Sequence, residues 1–282
     1  MAPALIIARL TVREAVRRKL VAVFVLITLA MVSLSAWGFY RLSHSQRLTS
    51  GENQFALPQA LILFMFMFSF VVALSASAIA SPAVSHEAES GVLQAVVTRP
   101  VRRSEVLLGK WLGLALLVAG YSLGVSVLEF AVVKGVIGFL PPNPVAAALY
   151  LFAEGTVLMT LVLGISTRLS ALATGVVGVA LFGSAWLAGV VGALGAVFKI
   201  QALQTVGSVA RFVLPTDGLW HGAIFYLEPS SFVSARVVGV GAQGANPFFA
   251  DSAPPWWYVG FAAVWFMAVL AAGVVSFERR EL

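Results

Sequence analysis

Cysteine is absent from the 282 residues, which removes disulfides, thiol nucleophiles and thiolate metal sites from consideration. Charge is scarce too: Asp, Glu, Lys and Arg together make up 11% of the chain, against about a quarter in soluble globular domains. Histidine occurs only as His44, His86 and His221, too scattered for a metal site, and His86-Glu87-Ala88-Glu89-Ser90 lacks the second histidine of a zincin helix. No G-x-S-x-G nucleophile elbow occurs. A phosphate-cradling P-loop is missing as well, because Gly109-Lys110 is followed by Trp111 and preceded five places back by Ser104. Nucleotide hydrolysis therefore falls outside what these residues can do.

What the sequence has in abundance is apolar length. Hydrophobic residues form 60% of it and the mean hydropathy is +0.95. Crossing the hydrocarbon of a bilayer takes about 20 apolar residues in a helix. Runs of that length predict spans over 20–40, 57–81, 111–133, 145–166, 171–194 and 256–276. None shows the alternation of barrel strands, and in lipid only helices or closed barrels satisfy their own backbone. The expected fold class is an all-α membrane protein, a six-transmembrane-helix bundle forming one domain over 1–282.

The net charge of +6 and pI near 10.1 would suit a nucleic-acid binder, but the basic residues flank the apolar runs and form no separate domain. They read better as orientation signals. Segments 1–19, 82–110, 167–170 and the C-terminal tail hold 12 of the 18 Lys and Arg. By the positive-inside rule these are cytoplasmic, which places both termini inside. The N-terminal basic segment precedes an apolar run too long for a signal-peptide core, so it is expected to be retained.

Two stretches outside the spans have helical patterning. Near the N-terminus, Arg9, Arg13 and Arg17 recur at i, i+4, i+8 beside Arg18, with Leu5, Ala8, Val12 and Val16 on another face. That pattern fits an amphipathic interfacial helix, basic face among headgroups, or else a simple positive flank of the first span. Between the last two spans, 195–255 is expected to be external. Ala202–Leu214 and Leu219–Leu227 could form short helices there, with Thr216 or Asp217 capping the second and Glu228-Pro229 ending it. Neither is long enough to cross, so a re-entrant or surface-lying pair is expected. The turn Pro215-Thr216-Asp217-Gly218-Leu219-Trp220 is then either a gate at the external mouth or a plain capped turn.

The cytoplasmic segment 82–110 is the most informative. It contains Glu87 and Glu89, the turn Ser90-Gly91-Val92-Leu93, the break Arg99-Pro100-Val101-Arg102-Arg103-Ser104-Glu105 and the ending Leu108-Gly109-Lys110. Two short helices are expected, parted at Arg99-Pro100, with Ser104 capping the second. This combination resembles the ABC-2 type permeases, in which an acidic residue, a Ser-Gly-Thr-Leu-like turn, a Pro-Val-Ser-Arg-like break and a Leu-Gly-Lys ending recur together. Val92 replaces a frequent Thr and Arg102-Arg103 a frequent Ser-Arg.

The resemblance implies a permease subunit of an ATP-driven transporter, most naturally an exporter in the cell membrane of a prokaryote. It further implies a second permease copy, homo- or heterodimeric, and two copies of a cytosolic ATPase subunit that binds ATP and Mg. Coupling would run through Glu87, Glu89, Gly91, Arg99, Pro100, Arg102, Arg103 and Glu105. This chain itself would be no enzyme and hold no cofactor or metal. Two alternatives stand beside that reading: a proton-coupled secondary carrier using Glu154, and a family member that transmits force or assists assembly without moving cargo.

Only Glu129 and Glu154 put carboxyls inside the expected spans, where an unpaired charge is costly. Glu154 is expected either to line a translocation path or to make a structural hydrogen bond. Glu129 is expected near the external interface, paired with Lys134. Glycines concentrate around the third and fifth spans (Gly109, Gly113, Gly120 and Gly124, then Gly175, Gly178, Gly189, Gly192 and Gly195). They permit close helix approach within the bundle or in a dimer seam.

Overall fold

The computed structural model describes residues 3–44, 50–89, 102–229, 248–250 and 252–279, with backbone alone for 50–55 and 86–89. Among the described residues the elements are helices. In chain order they are α1 (Pro3–Val16), α2 (Lys19–Ser43), α3 (Ser50–Ala80), α4 (Pro82–Glu89), α5 (Arg103–Ile137), α6 (Pro144–Ser166), α7 (Ala171–Val197), α8 (Gln201–Val213), α9 (Thr216–Leu227) and α10 (Trp256–Glu278). Six of these regions are long and apolar enough to cross a membrane: α2, Ala56–Ser85 (α3 with the start of α4), α5, α6, α7 and α10. The molecule is an all-α membrane protein.

The bundle is built around α6. Glu154, Gly155, Thr156, Val157, Leu158, Met159 and Thr160 are all buried, so two full turns are covered on every side. Its neighbours are α3, α4, α5, α7, α9 and α10. Asn143 starts this helix by accepting the Ala146 N–H on its side-chain oxygen at 3.1 Å, and Pro144 occupies the first helical position, where a missing N–H costs nothing. By contrast α2 and α10 are peripheral. Leu26 is 65% exposed, Val264 is 69% exposed, and those outward side chains face lipid in a membrane.

Side chains cross-link the helices with polar contacts. Ser35 of α2 donates to the Glu129 carboxylate of α5, and Ser69 of α3 donates to Glu154 of α6 at 2.9 Å. The Trp111 indole of α5 donates to Thr160 of α6 at 2.9 Å, and the Thr28 hydroxyl of α2 shares a 2.5 Å hydrogen bond with that of Tyr121 of α5. Interhelical bonds of this sort contribute about 0.6 kcal/mol on average in lipid, which fixes register more than it supplies stability.

One sequence expectation is corrected. Glu129 is 0% exposed and bonded to Ser35, not interfacial and paired with Lys134. The reason is helical phase: five residues at about 100° each place the two side chains some 140° apart around α5. The glycines also divide. A Cβ at Gly192 would lie 2.8 Å from the Cα of Gly207, and one at Gly195 2.7 Å from the Gln204 nitrogen, so α7 and α8 touch through backbone. Gly120 and Gly124, in contrast, face open space within the protomer.

Candidate functional site

At one end of the bundle lies the base of the 82–110 elbow. Val84 and Ser85 of α4 are buried, and α4 packs on α6 and α7. Arg102 is the N-cap of α5. Its backbone N–H donates to the Glu105 side chain at 3.0 Å, so the carboxylate three positions in satisfies an orphan amide and sits where the helix dipole favours negative charge. Ser104 therefore lies within the first turn and is not the cap that the sequence suggested. Lys110, only 5% exposed, donates from Nζ to the carbonyl of Ala83 at 2.7 Å. This closes the base of the elbow by fastening α5 to α4.

The first helix is wedged into the same place. A Cβ at Gly109 would lie 2.7 Å from the Ala4 carbonyl oxygen, and one at Gly113 2.7 Å from that of Ala8. So α1 crosses the start of α5 at backbone contact. Its opposite face is outward, where Arg9 and Arg13 are exposed beside Leu5 (57%), Ile6 (49%) and Leu10 (58%). Ala8, assigned from sequence to the face that dips into lipid, instead faces α5. Arg17 is exposed beyond the helix end, and Arg18 bridges Glu14 at 2.5 Å, an exposed i,i+4 pair. Such pairs contribute at most about 1 kcal/mol.

The end of α10 completes this platform. Arg103 donates from Nη1 to the Glu278 carbonyl at 3.1 Å. Arg168, in the turn between α6 and α7, donates to the Ser276 hydroxyl at 2.8 Å and to its carbonyl at 3.0 Å. The last carbonyls of a helix lack intrahelical partners and carry partial negative charge, so both guanidiniums are well placed. Of the residues expected to couple, Arg102, Arg103 and Glu105 are thus assembled here, and Glu87 and Glu89 lie in the C-terminal half of α4. Gly91, Arg99 and Pro100 lie outside the described residues.

Inside the bundle, Glu154 is 3% exposed and its second carboxylate oxygen has no hydrogen-bond partner among the described residues. The Glu129 carboxylate has the same arrangement, one oxygen on Ser35 and one without a partner. No group of three or more His, Asp or Glu able to hold a metal occurs among the described residues.

The opposite end carries a second polar cluster. Helix α10 runs from Trp256 to Glu278, about 34 Å at 1.5 Å per residue, so its start lies a membrane's thickness from the elbow. There α8 and α9 form the expected short pair. Pro215 is the N-cap of α9, Asp217 lies in its first turn, and Leu227 ends it before Glu228. Asp217 is buried, accepts from Arg211 Nε at 2.8 Å, and rests against Gly189 of α7, where a Cβ would collide with the carboxylate. The His221 ring meets the Asp217 carbonyl at 2.8 Å through Nδ1 and Arg211 through Nε2 at 3.4 Å. Tyr258 of α10 donates to the Arg211 carbonyl at 3.1 Å. Trp220 is 2% exposed with its ring 5.6 Å from that of Phe66, so it is a core anchor of α9.

Sequence reasoning found Pro215, Asp217 and Trp220 but missed Arg211, His221 and Tyr258. The i,i+4 spacing of Asp217 and His221 on α9 was a legible signal. The approach of Arg211 across the Pro215 turn and of Tyr258 from another helix left none. Lys110 was noted only as the end of a motif, and nothing in the sequence paired it with Ala83.

A search of the curated proteins finds no match to this chain. A family model described as ABC-2 family transporter protein matches residues 5–282, which takes in both polar clusters and all six candidate spans. The chain therefore belongs to the ABC-2 transporter family and is a multi-pass membrane permease component of an ABC transporter.

Proposed function

We propose that this permease is the membrane half of an ATP-driven exporter, a dimer that docks two copies of a separate nucleotide-binding subunit through residues 82–110 and α1. The observation that supports it most is the clasp between Lys110 and Ala83 at the foot of α5. Helix α5 is 35 residues long, about 52 Å, so it extends well beyond the roughly 30 Å of hydrocarbon. A push on the elbow is delivered to a stiff rod already fixed to α4, α1 and the end of α10. Arg9, Arg13 and Arg102 are exposed and offer positive charge to a docking partner, and the sequence adds the acidic Glu87 and Glu89 in the same elbow as Arg102. ATP and Mg belong to that partner. The elbow end is cytoplasmic with both termini, in a prokaryotic cell membrane, and the end bearing Asp217 and Trp220 is external, where the Pro215 turn acts as a gate.

Co-expression with the ATPase and affinity purification test this reading. Wild-type permease retains the ATPase in a ratio of one to one, and Glu87→Ala together with Arg102→Glu releases it. A permease that purifies alone in both forms, with ATP-driven transport unaltered by the double change, would overturn it.

A second reading, a proton-coupled carrier, is favoured by one observation: the second oxygen of the buried Glu154 carboxylate, which has no hydrogen-bond partner among the described residues. Transport driven by a proton gradient in vesicles without any ATPase would be its signature.

A further inference from the structure

The end of the bundle opposite the elbow contains a cavity of about 520 Å³ between α7, α8, α9, α10 and the stretches 249–250 and 252–255. Its polar lining includes Arg211, Gln204, Ser208 and His221, and its aromatic lining includes Phe212 and Trp257. No carboxylate lines it among the described residues. Asp217 stands behind the guanidinium, its side chain 2% exposed, and holds Arg211 by Nε alone. With Nη2 directed at His221, Nη1 has no partner among the described residues. Gln204 donates one amide hydrogen to the Gly195 carbonyl at 3.1 Å, and the other has no acceptor among the described residues. Two donors, one of them cationic, therefore line a space to which no described residue contributes an acid.

The surroundings of the mouth are apolar and outward. On α8, Val209 and Val213 are 54% and 65% exposed, and at the start of α10 Trp256 is 86% exposed. Phe212 and Trp257 stack with centroids 6.3 Å apart and planes 14° from parallel. Tryptophans at the end of a spanning helix mark the headgroup level of a bilayer. A basic recess at that level, flanked by surfaces made for acyl chains, suits an oxyanion borne on a hydrocarbon stem.

We propose that this cavity binds the headgroup of an anionic phospholipid, with the phosphodiester on Arg211 and Gln204 and an acyl chain running beside Phe212 and Trp257. Guanidinium–phosphate bonds are charge-assisted and geometrically demanding, which distinguishes the site from generic lipid solvation. The proposal uses only the membrane placement of the chain and is independent of coupling to an ATPase.

Native mass spectrometry of the full chain in detergent, titrated with phosphatidylglycerol, phosphatidylcholine or inorganic phosphate, tests it. The expected result is one phosphatidylglycerol retained about tenfold more tightly than phosphatidylcholine, a difference of ~1.4 kcal/mol. Arg211→Lys and, independently, Ser208→Trp, which fills the cavity from an exposed position, each abolish that preference. Because Arg211 also holds Asp217, the Ser208 variant keeps the test valid if the Lys variant folds poorly. Equal retention of both lipids by the wild type, or an unchanged preference in Ser208→Trp, overturns the proposal. Displacement of the lipid by an equal concentration of inorganic phosphate also overturns it, since the ligand would then be a free oxyanion.

Discussion

The ammonium of Lys110 lies 2.7 Å from the carbonyl oxygen of Ala83, 27 positions earlier in the chain. Those two residues bracket the polar elbow, so this bond ties its two ends together at the base, beside the contacts of α5 with α1 and with the end of α10. A hydrogen bond from a charged donor contributes about 1.5–3 kcal/mol. Lys110→Met keeps the aliphatic stem and removes the donor. The expected result is a lower unfolding midpoint in detergent and an ATPase that is retained several-fold less well, read by calorimetry and by copurification. Unchanged values for both would show that the clasp has no part in docking.

The seat of α1 is tested at Gly109. There a Cβ meets the Ala4 carbonyl at 2.7 Å and Ile7 at 2.7 Å. Backbone cannot yield as a flexible side chain can, so Gly109→Val displaces the first helix, at a cost of about 1–3 kcal/mol. Proteolysis near Arg9 and Arg13 should become faster in the variant. Gly120→Val, at a position with nothing nearby in the protomer, serves as the control and should leave that cleavage rate unchanged.

At the other end, Asp217 is buried and its charge is matched by Arg211. Removing one partner of such a pair strands the other, which costs about 3–5 kcal/mol when both are buried and less here because Arg211 is partly exposed. Asp217→Ala is expected to lower yield and melting temperature sharply, while Asp217→Asn, which keeps an acceptor for Nε, is milder. Equal stability of the two variants would mean that the ion pair does not hold α8 to α9.

How much of this could be read from sequence depends on the range of the interaction. The six spans were legible because each is a continuous apolar run, and lipid imposes that requirement locally. Their ends were less so: α5 starts at Arg103, eight residues before the expected 111, because Glu105 can satisfy the first amide while the helix is still in water. The elbow was found from its motif, but its closure by Lys110 joins elements whose approach no local pattern encodes. Glu129 shows the same limit. Its nearest cation in sequence was Lys134, whereas its true partner, Ser35, stands 94 positions away on α2. Short-range rules found helices but set the caps of α5 and α9 one or two residues late, at Ser104 and at Thr216 or Asp217 where Arg102 and Pro215 stand, and the contacts between helices needed the fold.

The carrier reading makes a prediction of its own at Glu154. Ser69→Ala removes a single hydrogen bond to that carboxylate, worth about 1 kcal/mol, and Glu154→Gln preserves shape and one acceptor. If energy arrives through the elbow, both variants keep ATP-driven transport within about twofold of the wild type, a change of ~0.4 kcal/mol, because the lost hydrogen bond then bears on stability and not on coupling. Abolition of transport by Glu154→Gln, with fold and ATPase docking intact, would move the functional centre from the elbow to the bundle interior.

Sidedness can be decided with the chain's own lack of cysteine, because any thiol introduced is the only one present. Leu169 lies exposed in the turn between α6 and α7, and Gln201 is exposed at the start of α8. These turns flank the opposite ends of α7, whose 27 residues span about 40 Å. Leu169→Cys should react with a membrane-impermeant maleimide only after cells are opened, and Gln201→Cys in intact cells. The reverse pattern would place the Lys110 elbow outside, beyond the reach of any cytosolic ATPase, and would remove the physical basis for coupling altogether.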